Sequence, residues 1–223
     1  MSDSEDETPY ENENHSTSMG VDALAVKRKQ LVQEYRPYIY QEKIAETATA
    51  IYFDVMNNVT LKRNKRKAMM AKCAYEAYIQ NNIYKDPMLL VRKFDVDKKK
   101  FMEAQGIFYE RLFTNNMMQK YPKVHLTAKQ LLPDIAKHFG FESIPLDQAG
   151  DVIDAMYASS VFLTRSSPRD VAIVMLLWYM RLTNHTNDSG KIVTEATLKG
   201  ETKIANTKIK EMIPIIGKII GKK

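Results

Sequence analysis

The chain has 223 residues, of which 44% are hydrophobic and 27% are charged. This composition is typical of a globular protein, and the length allows one domain or two of about 100 residues each. The single cysteine, Cys73, excludes a disulfide framework and a thiolate-rich zinc site within the chain. The longest apolar run, residues 171–180, is too short for a membrane span, which needs about 20 residues. The polar N-terminus does not resemble a secretory signal, so we expect no membrane partner.

Charge is distributed unevenly along the chain, whose net charge is +6. Residues 1–19 contain no lysine or arginine, and their acidic residues are Asp3, Glu5, Asp6, Glu7, Glu11 and Glu13. Such a segment can bury little apolar surface, so residues 1–20 are predicted to form a disordered acidic tail. The rest of the chain is strongly basic, which favours binding to polyanions such as nucleic acid. Plain solubility is the alternative explanation.

Hydrophobic periodicity predicts an all-α protein of about ten helices. Apolar residues recur at helical spacing in 40–59, 98–113, 127–139 and 146–163, and the continuous apolar run at 171–180 predicts the most buried helix. Only residues 213–220 are rich enough in β-branched residues to suggest a strand, and Pro214 and Gly217 argue against a paired one.

Two of the predicted helices have recognisable boundaries. Thr127 and Gln130 are spaced for a capping box, and Gly140 is placed to end the helix that begins there. Ser167 followed by Pro168 is typical of an N-cap and a first helical position. These signals fix the predicted ends of the helices at 127–139 and 168–182.

A weak internal repeat divides the chain into two halves. The matching segments are buried-type helices at 65–80 and 167–182 and the short segments that follow them at 85–97 and 191–201. In both halves a helix that begins with lysines comes next. A period of about 100 residues indicates a domain duplication rather than a solenoid. We therefore predict one domain at 21–121 and a second at 122–223, the second ending in a basic helix.

Four segments carry the repeat in a consistent order: RKAMMAKCAYEAYI (66–79), LLPDIAKHFGFE (131–142), TRSSPRDVAIVMLLWYM (164–180) and KIVTEATLKGETKIANTKIKEM (191–212). Together they resemble the cyclin-fold repeats of transcription factor IIB and its archaeal and viral relatives. Cys73 and Tyr75 stand where this family often has Cys and Tyr. Glu195 stands at the family's Glu position, and Ala196 replaces the usual Ile. The resemblance covers residues 22–213 and implies two tandem five-helix cyclin-like repeats.

The chain departs from the family at its N-terminus. Members of the family normally begin with a cysteine-rich zinc ribbon that docks on RNA polymerase, and one cysteine cannot form such a ribbon. The acidic tail stands in its place, so contact with the polymerase could require another subunit. The shortened chain, rich in Met, Asn and Lys, suits a large DNA virus.

The resemblance implies a transcription initiation adaptor that binds promoter DNA together with TATA-binding protein and helps to recruit RNA polymerase. It implies a monomer without catalysis or cofactor, located in the nucleus or in a viral replication compartment. Two alternatives remain open. One is a cyclin-type regulatory subunit of a protein kinase, and the other is a DNA-binding viral structural protein.

In the family, the last two helices of the second repeat form a helix-turn-helix unit that reads DNA beside the TATA element. The second of these helices is predicted to begin near Glu201, which places Lys203 and Asn206 on one face of its first turns. Asn can bond adenine and Lys can bond guanine in the major groove. Lys208 and Lys210 are better suited to phosphate contacts. A solvated basic helix face is the alternative explanation.

Two further clusters are candidate phosphate contacts. The first lies at a predicted helix–helix turn and consists of Lys62, Arg63, Lys65, Arg66 and Lys67. These charges repel one another, which favours a bound anion; a nuclear import signal and a solvated surface are the alternatives. In the second cluster, Arg165 and Arg169 flank the helix start at 167–168, where backbone amides can help to hold a phosphate.

No combination of residues in the sequence indicates catalysis. The glycines are scattered and form no phosphate-binding loop. The histidines, His15, His125, His138 and His185, have no metal-ligand spacing. Cys73 lies on a helix that is predicted to be buried and belongs to the core. We therefore predict neither an enzyme nor a metal site.

Overall fold

The computed structural model describes residues 15–56 and 59–221, and the secondary structure there is helical except for one isolated antiparallel bridge between Thr186 and Ile192. The helices are α1 (His15–Tyr35), α2 (Glu42–Met56), α3 (Arg63–Gln80), α4 (Pro87–Lys93), α5 (Lys98–Thr114), α6 (Ala128–Phe139), α7 (Leu146–Ser159), α8 (Val161–Thr164), α9 (Pro168–Leu182), α10 (Glu195–Thr202) and α11 (Asn206–Ile220). The all-α prediction is confirmed. Within the described ranges, no helix combines the length and the apolar character that crossing a bilayer requires.

The predicted acidic tail falls largely outside the described residues, which begin at position 15. Helix α1 begins at His15, inside the range 1–20 that was predicted to be disordered. The structure corrects the end of that range, because residues 15–20 are helical.

The predicted helix boundaries at 127–139 and 168–182 are confirmed. The Thr127 hydroxyl accepts a hydrogen bond from the Gln130 N–H, and the Gln130 side chain accepts one from the Thr127 N–H at 2.9 Å. Gly140 ends α6 in the left-handed region, with φ of 77°. Helix α9 begins at Pro168, although the Ser167 side chain makes no capping bond. Local side-chain chemistry thus fixes the ends of α6.

The structure changes the prediction for one segment, 146–163, and decides between helix and strand for another, 213–220. The helix predicted over 146–163 is interrupted, because Ser160 is extended with φ of −151° and the single turn α8 follows it. Residues 213–220 belong to α11 and form no strand. Ile209, Met212 and Ile216 of α11 are buried at helical spacing, so the helical conformation buries one continuous apolar face.

Two hydrophobic clusters form the core. The first runs from Leu31 to Tyr121 and collects side chains of α1–α5, and the second runs from Leu126 to Ile216 and collects side chains of the later helices. In the first half, α3 packs against α2, α4 and α5. In the second half, α9 packs against α7, α10 and α11, and also against α6. Each half therefore buries apolar surface around a central helix of its own.

Turns at matching positions of the two halves share an unusual backbone conformation. Asn82 follows α3, Asn184 and His185 follow α9, and all three have positive φ. Asp95 follows α4 with φ of 48°, and Lys203 follows α10 with φ of 58°. The left-handed region costs roughly 1–2 kcal/mol for most residues with a side chain. Positive φ thus occurs after α3 and α9 and again after α4 and α10.

We expect Gly140→Ala to destabilise the protein. The left-handed φ of Gly140 disfavours an L-residue by roughly 1–2 kcal/mol, and an added Cβ would lie 2.6 Å from the Asn187 Nδ2 atom. That nitrogen is held in place because it donates to the Phe139 carbonyl at 3.0 Å. Gly106→Ala is the control, since Gly106 lies within α5 and its Cβ would meet no atom within 4 Å. The free energy of unfolding of the control should rise by about 0.5–1 kcal/mol. Urea unfolding measures both variants, and equal changes in stability would contradict a special role for Gly140.

Candidate nucleic-acid interface

Charged side chains join the two halves around the start of α4. The Asp86 carboxylate, fully buried, accepts hydrogen bonds from Arg169 Nε at 2.7 and 2.9 Å. Lys85 pairs with Asp134 of α6, and the other Asp134 oxygen accepts from the Asp86 N–H at 2.9 Å. These contacts connect α4 of the first half with α6 and α9 of the second.

A second connection involves Glu201 at the end of α10. Its carboxylate lies 2.9 Å from Arg92 of α4 and 2.7 Å from His138 Nε2 of α6. The hydrogen bond with His138 lowers the pKa of Glu201, and the Arg92 charge lowers it further. Because the pKa in the folded protein lies below the ordinary carboxyl value, this stabilisation is present above that ordinary value. It is lost as the pH falls through the lowered pKa.

A groove of about 560 Å³ lies between two of the matching turns. One wall comes from α4 and the turn into α5, and the other comes from the start of α9 and the turn between α10 and α11. Its charged side chains are Arg92, Lys98, Arg169, Lys203 and Lys208, with Asp95, Asp170 and Glu201. We call it the basic groove, because its basic side chains outnumber the acidic ones.

Only some of these positive charges are balanced within the protein. Arg92 pairs with Glu201, and Arg169 pairs with Asp86. Lys98 and Lys203 are exposed and form no ion pair within residues 15–56 and 59–221. An anion that enters the basic groove would therefore meet Lys98 from the first half and Lys203 from the second.

The basic cluster at the start of α3 adjoins this groove. Lys67 Nζ lies 3.3 Å from the carboxylate of Asp95, which lines the groove. Lys62, Arg63 and Lys65 precede Lys67, are exposed and have no ion-pair partner in the part of the chain that is described. These three residues extend the positive surface from the groove along the beginning of α3.

Two of the predicted phosphate contacts have acidic neighbours on the protein itself. Arg66 forms a two-pronged pair with Glu34 of α1, in which Nη2 donates to Oε1 at 2.9 Å. Lys208 Nζ lies 3.9 Å from the carboxylate of Glu211, one helical turn away. The two-pronged Arg66 pair fills the guanidinium fork that a phosphate would otherwise use.

Arg169 also has an internal role that its sequence position does not show. Besides its bonds to Asp86, its Nη1 donates to the Thr202 carbonyl at 2.9 Å. Its side chain is only 14% exposed, so the guanidinium connects α4, α9 and the end of α10. Arg169 thus connects the two halves, and its phosphate contact stays a prediction. Arg165, which was predicted with it, remains exposed.

The structure also corrects the predicted start of the last helix. That helix was expected to begin near Glu201, but α10 continues to Thr202 and Lys203 forms the left-handed C-cap. Helix α11 begins at Asn206, so Lys203 and Asn206 do not share a helical face. Asn206 and Lys210 are both exposed and lie four residues apart in α11, so they do share one.

The acidic residues that connect the halves were not predicted. Asp86 followed by Pro87 is a local signal for a helix start, which α4 confirms. Nothing in the sequence indicates that the Asp86 carboxylate contacts Arg169, which lies 83 positions later. The same applies to Asp134, which lies 49 positions from its partner Lys85, and to Glu201, which lies 63 positions from His138.

The described residues include no group of three or more His, Cys, Asp or Glu side chains that could hold a metal ion. Cys73 is buried, as predicted, and burial raises the pKa of its thiol well above the usual range. The thiol is therefore protonated at neutral pH and packs as part of the core.

Comparison with protein-family models and with curated proteins gives no match to this chain. The indication of a ligand class therefore comes from the chemistry of the surface. Unpaired lysine and arginine side chains around one groove indicate an anionic ligand.

Proposed function

We propose that this protein is a non-catalytic adaptor that binds the phosphate backbone of DNA along the basic groove. The main support is that Lys98 at the start of α5 and Lys203 at the end of α10 line one groove without ion-pair partners in the described ranges. Lys62, Arg63 and Lys65 extend the same positive surface. Each lysine or arginine that neutralises a phosphate releases condensed counterions, so such a surface binds DNA with a strong salt dependence.

The ion pairs around α4 favour simultaneous contact of both turns with DNA. Asp86 with Arg169 and Arg92 with Glu201 hold the turn after α4 close to the turn after α10. Two positive turns held together in advance lose less conformational freedom on binding than two turns on a flexible tether. Both turns can then contact one DNA molecule at a lower entropic cost.

The resemblance to the transcription factor IIB family supports a more specific form of the proposal. In this form, two cyclin-like repeats bind promoter DNA together with TATA-binding protein and help to recruit RNA polymerase. Asn206 and Lys210 on the exposed face of α11 provide the base and phosphate contacts of the second repeat, and Arg165 adds a phosphate contact. The protein acts by stabilising one assembly through mass action.

Gel shifts on a TATA-containing duplex, with and without the cognate TATA-binding protein, test this function. When both proteins are present, we expect a ternary complex that migrates more slowly in the gel than either binary complex. Binding without a supershift and without sequence preference would contradict the promoter adaptor and favour a viral structural protein. No DNA binding combined with kinase activation in a phosphorylation assay would favour the cyclin-type alternative.

The same assay with variants tests the groove. Lys98→Ala combined with Lys203→Ala should weaken binding to all sequences and flatten its dependence on salt. Each lost phosphate contact should lower the slope of log K against log salt concentration by about 0.9. The control replaces two exposed lysines that do not line the groove: Lys191 and Lys218. An unchanged slope in the groove variant, or equal losses in both variants, would contradict DNA binding at the groove.

A further inference from the structure

A second cavity lies against another face of α4. It has a volume of about 410 Å³ and lies between α4 of the first half and α6 of the second. This volume is in the range of small-molecule sites, which is roughly 300–1,000 Å³. On α4 it contacts Leu89 and Lys93, whereas the basic groove contacts Met88 and Val91. The two sites therefore use different sides of the same helix.

The cavity combines apolar walls with converging positive charge. Tyr78, Leu89 and Leu90 supply apolar surface. Its basic side chains are Lys85, Arg92, Lys93 and Lys137, its acidic ones are Asp86 and Asp134, and His138 also lines it. Both of these carboxylates already have cationic partners, because Asp86 binds Arg169 and Asp134 binds Lys85. The lining thus has more positive charge than the protein itself neutralises.

Lys93 and Lys137 are the cations best placed for a ligand. Lys93 has no ion-pair partner in the described ranges, and burial, together with the nearby Lys85 charge, lowers the pKa of Lys93. Lys137 pairs with Glu142 at 3.5 Å, but both side chains are exposed, and such pairs contribute little. An anion between Lys93 and Lys137 would contact one half of the protein on each side.

An exposed aromatic ring stands beside Lys93, next to the cavity but outside its lining. Tyr40 is 86% exposed, and its ring centre lies 4.3 Å from Lys93 Nζ. Aromatic side chains next to basic residues stack nucleobases while the basic residues bind phosphates. A cationic cavity with apolar walls and an adjacent exposed tyrosine matches a molecule that has both a planar base and a phosphate chain.

We propose that this cavity binds a nucleoside polyphosphate, with the phosphates between Lys93 and Lys137 and the base against Tyr40. The ligand would connect α4 to α6 and would therefore stabilise the arrangement of the two halves. Lys98 and Lys203 do not line this cavity, and Arg92 is the charged side chain that the cavity shares with the basic groove.

Isothermal titration calorimetry of the full chain with ATP, with tripolyphosphate and with adenosine, each in turn, tests the proposal. We expect one ATP to bind per chain at millimolar concentration or below, tripolyphosphate to bind more weakly, and adenosine not to bind. Lys93→Ala combined with Lys137→Ala should weaken ATP binding by about tenfold or more. The pair Lys191→Ala and Lys218→Ala is the matched charge control, and circular dichroism checks that each variant is folded.

Tyr40→Ala separates a nucleotide site from a general phosphate site. It should weaken ATP binding and leave tripolyphosphate binding unchanged. Three results would overturn the proposal: no ATP binding, ATP binding that the Lys93 and Lys137 variant does not weaken, and an unchanged ATP affinity in Tyr40→Ala. A DNA duplex could also compete with ATP for binding. If the Lys98 and Lys203 variant abolished that competition, the phosphate contacts would belong to nucleic acid, and this result would also overturn the proposal.

Discussion

Asp86→Ala should destabilise the protein by about 3–5 kcal/mol, because it leaves a mostly buried guanidinium without its counter-ion. The Asp86 carboxylate is fully buried and accepts both bonds from Arg169 Nε. The Arg169 side chain is 14% exposed, so water can replace the lost carboxylate only in part. Asp86 also caps α4 by accepting from the Met88 N–H at 2.9 Å. Loss of the cap adds about 1 kcal/mol.

Urea unfolding followed by circular dichroism measures this effect. Asp97→Ala is the control, because Asp97 caps α5 in the same way by accepting from the Lys100 N–H, but it is exposed and crosses to no other helix. The control should lose much less stability. Adding Arg169→Met to Asp86→Ala removes the unpaired charge and should recover part of the loss. Equal losses in Asp86→Ala and Asp97→Ala would show that the contact between the halves does not stabilise the fold.

The second large effect concerns an ion pair inside the first half. Lys72 and Glu76 lie one turn apart in α3, and their side chains are 2% and 6% exposed. The Lys72 ammonium is surrounded by the rings of Tyr75, Phe108 and Tyr109, whose centres lie 4.8–5.2 Å away. Lys72→Ala leaves the buried Glu76 carboxylate unpaired and should cost about 3–5 kcal/mol. Replacing both residues, with Lys72→Met and Glu76→Leu, should be nearly neutral or stabilising by about 1–4 kcal/mol.

A double-mutant cycle, measured by urea unfolding, separates the cost of leaving one buried charge unpaired from the net contribution of the Lys72–Glu76 pair. The comparison is Lys199→Ala in α10, where Lys199 lies 3.4 Å from Glu195 at the same sequence spacing but in a half-exposed position. Pairs of that kind contribute about 0.3–0.5 kcal/mol. If Lys72→Ala cost no more than Lys199→Ala, burial of the pair in α3 would have no energetic consequence.

Helix positions were predictable because they depend on local patterns. The apolar spacing of α2, α5 and α6 requires one buried face, and the Thr127 capping box and Gly140 act within a few residues. The break at Ser160 was not predictable, since the apolar periodicity continues across it. The turn at Lys203 was missed because a left-handed lysine is disfavoured locally and persists only through the surrounding structure.

The candidate site was predictable in composition but not in geometry. Lys62 and Arg63 were identified from charge and Lys203 from the family resemblance, and all three are exposed. Arg66 and Arg169 look the same in sequence, yet each binds a carboxylate of the protein. An arginine fork fits carboxylate and phosphate equally well, so only the fold shows which one it contacts.

The contacts between the two halves include charged side chains and the rings of Tyr75 and Tyr84, which pack against the second cluster. Exchanging a handful of polar residues could therefore turn one half relative to the other without repacking either interior. Related chains that differ at these contacts could hold the halves at a different angle while keeping both interiors intact. They would then fit a partner of a different shape.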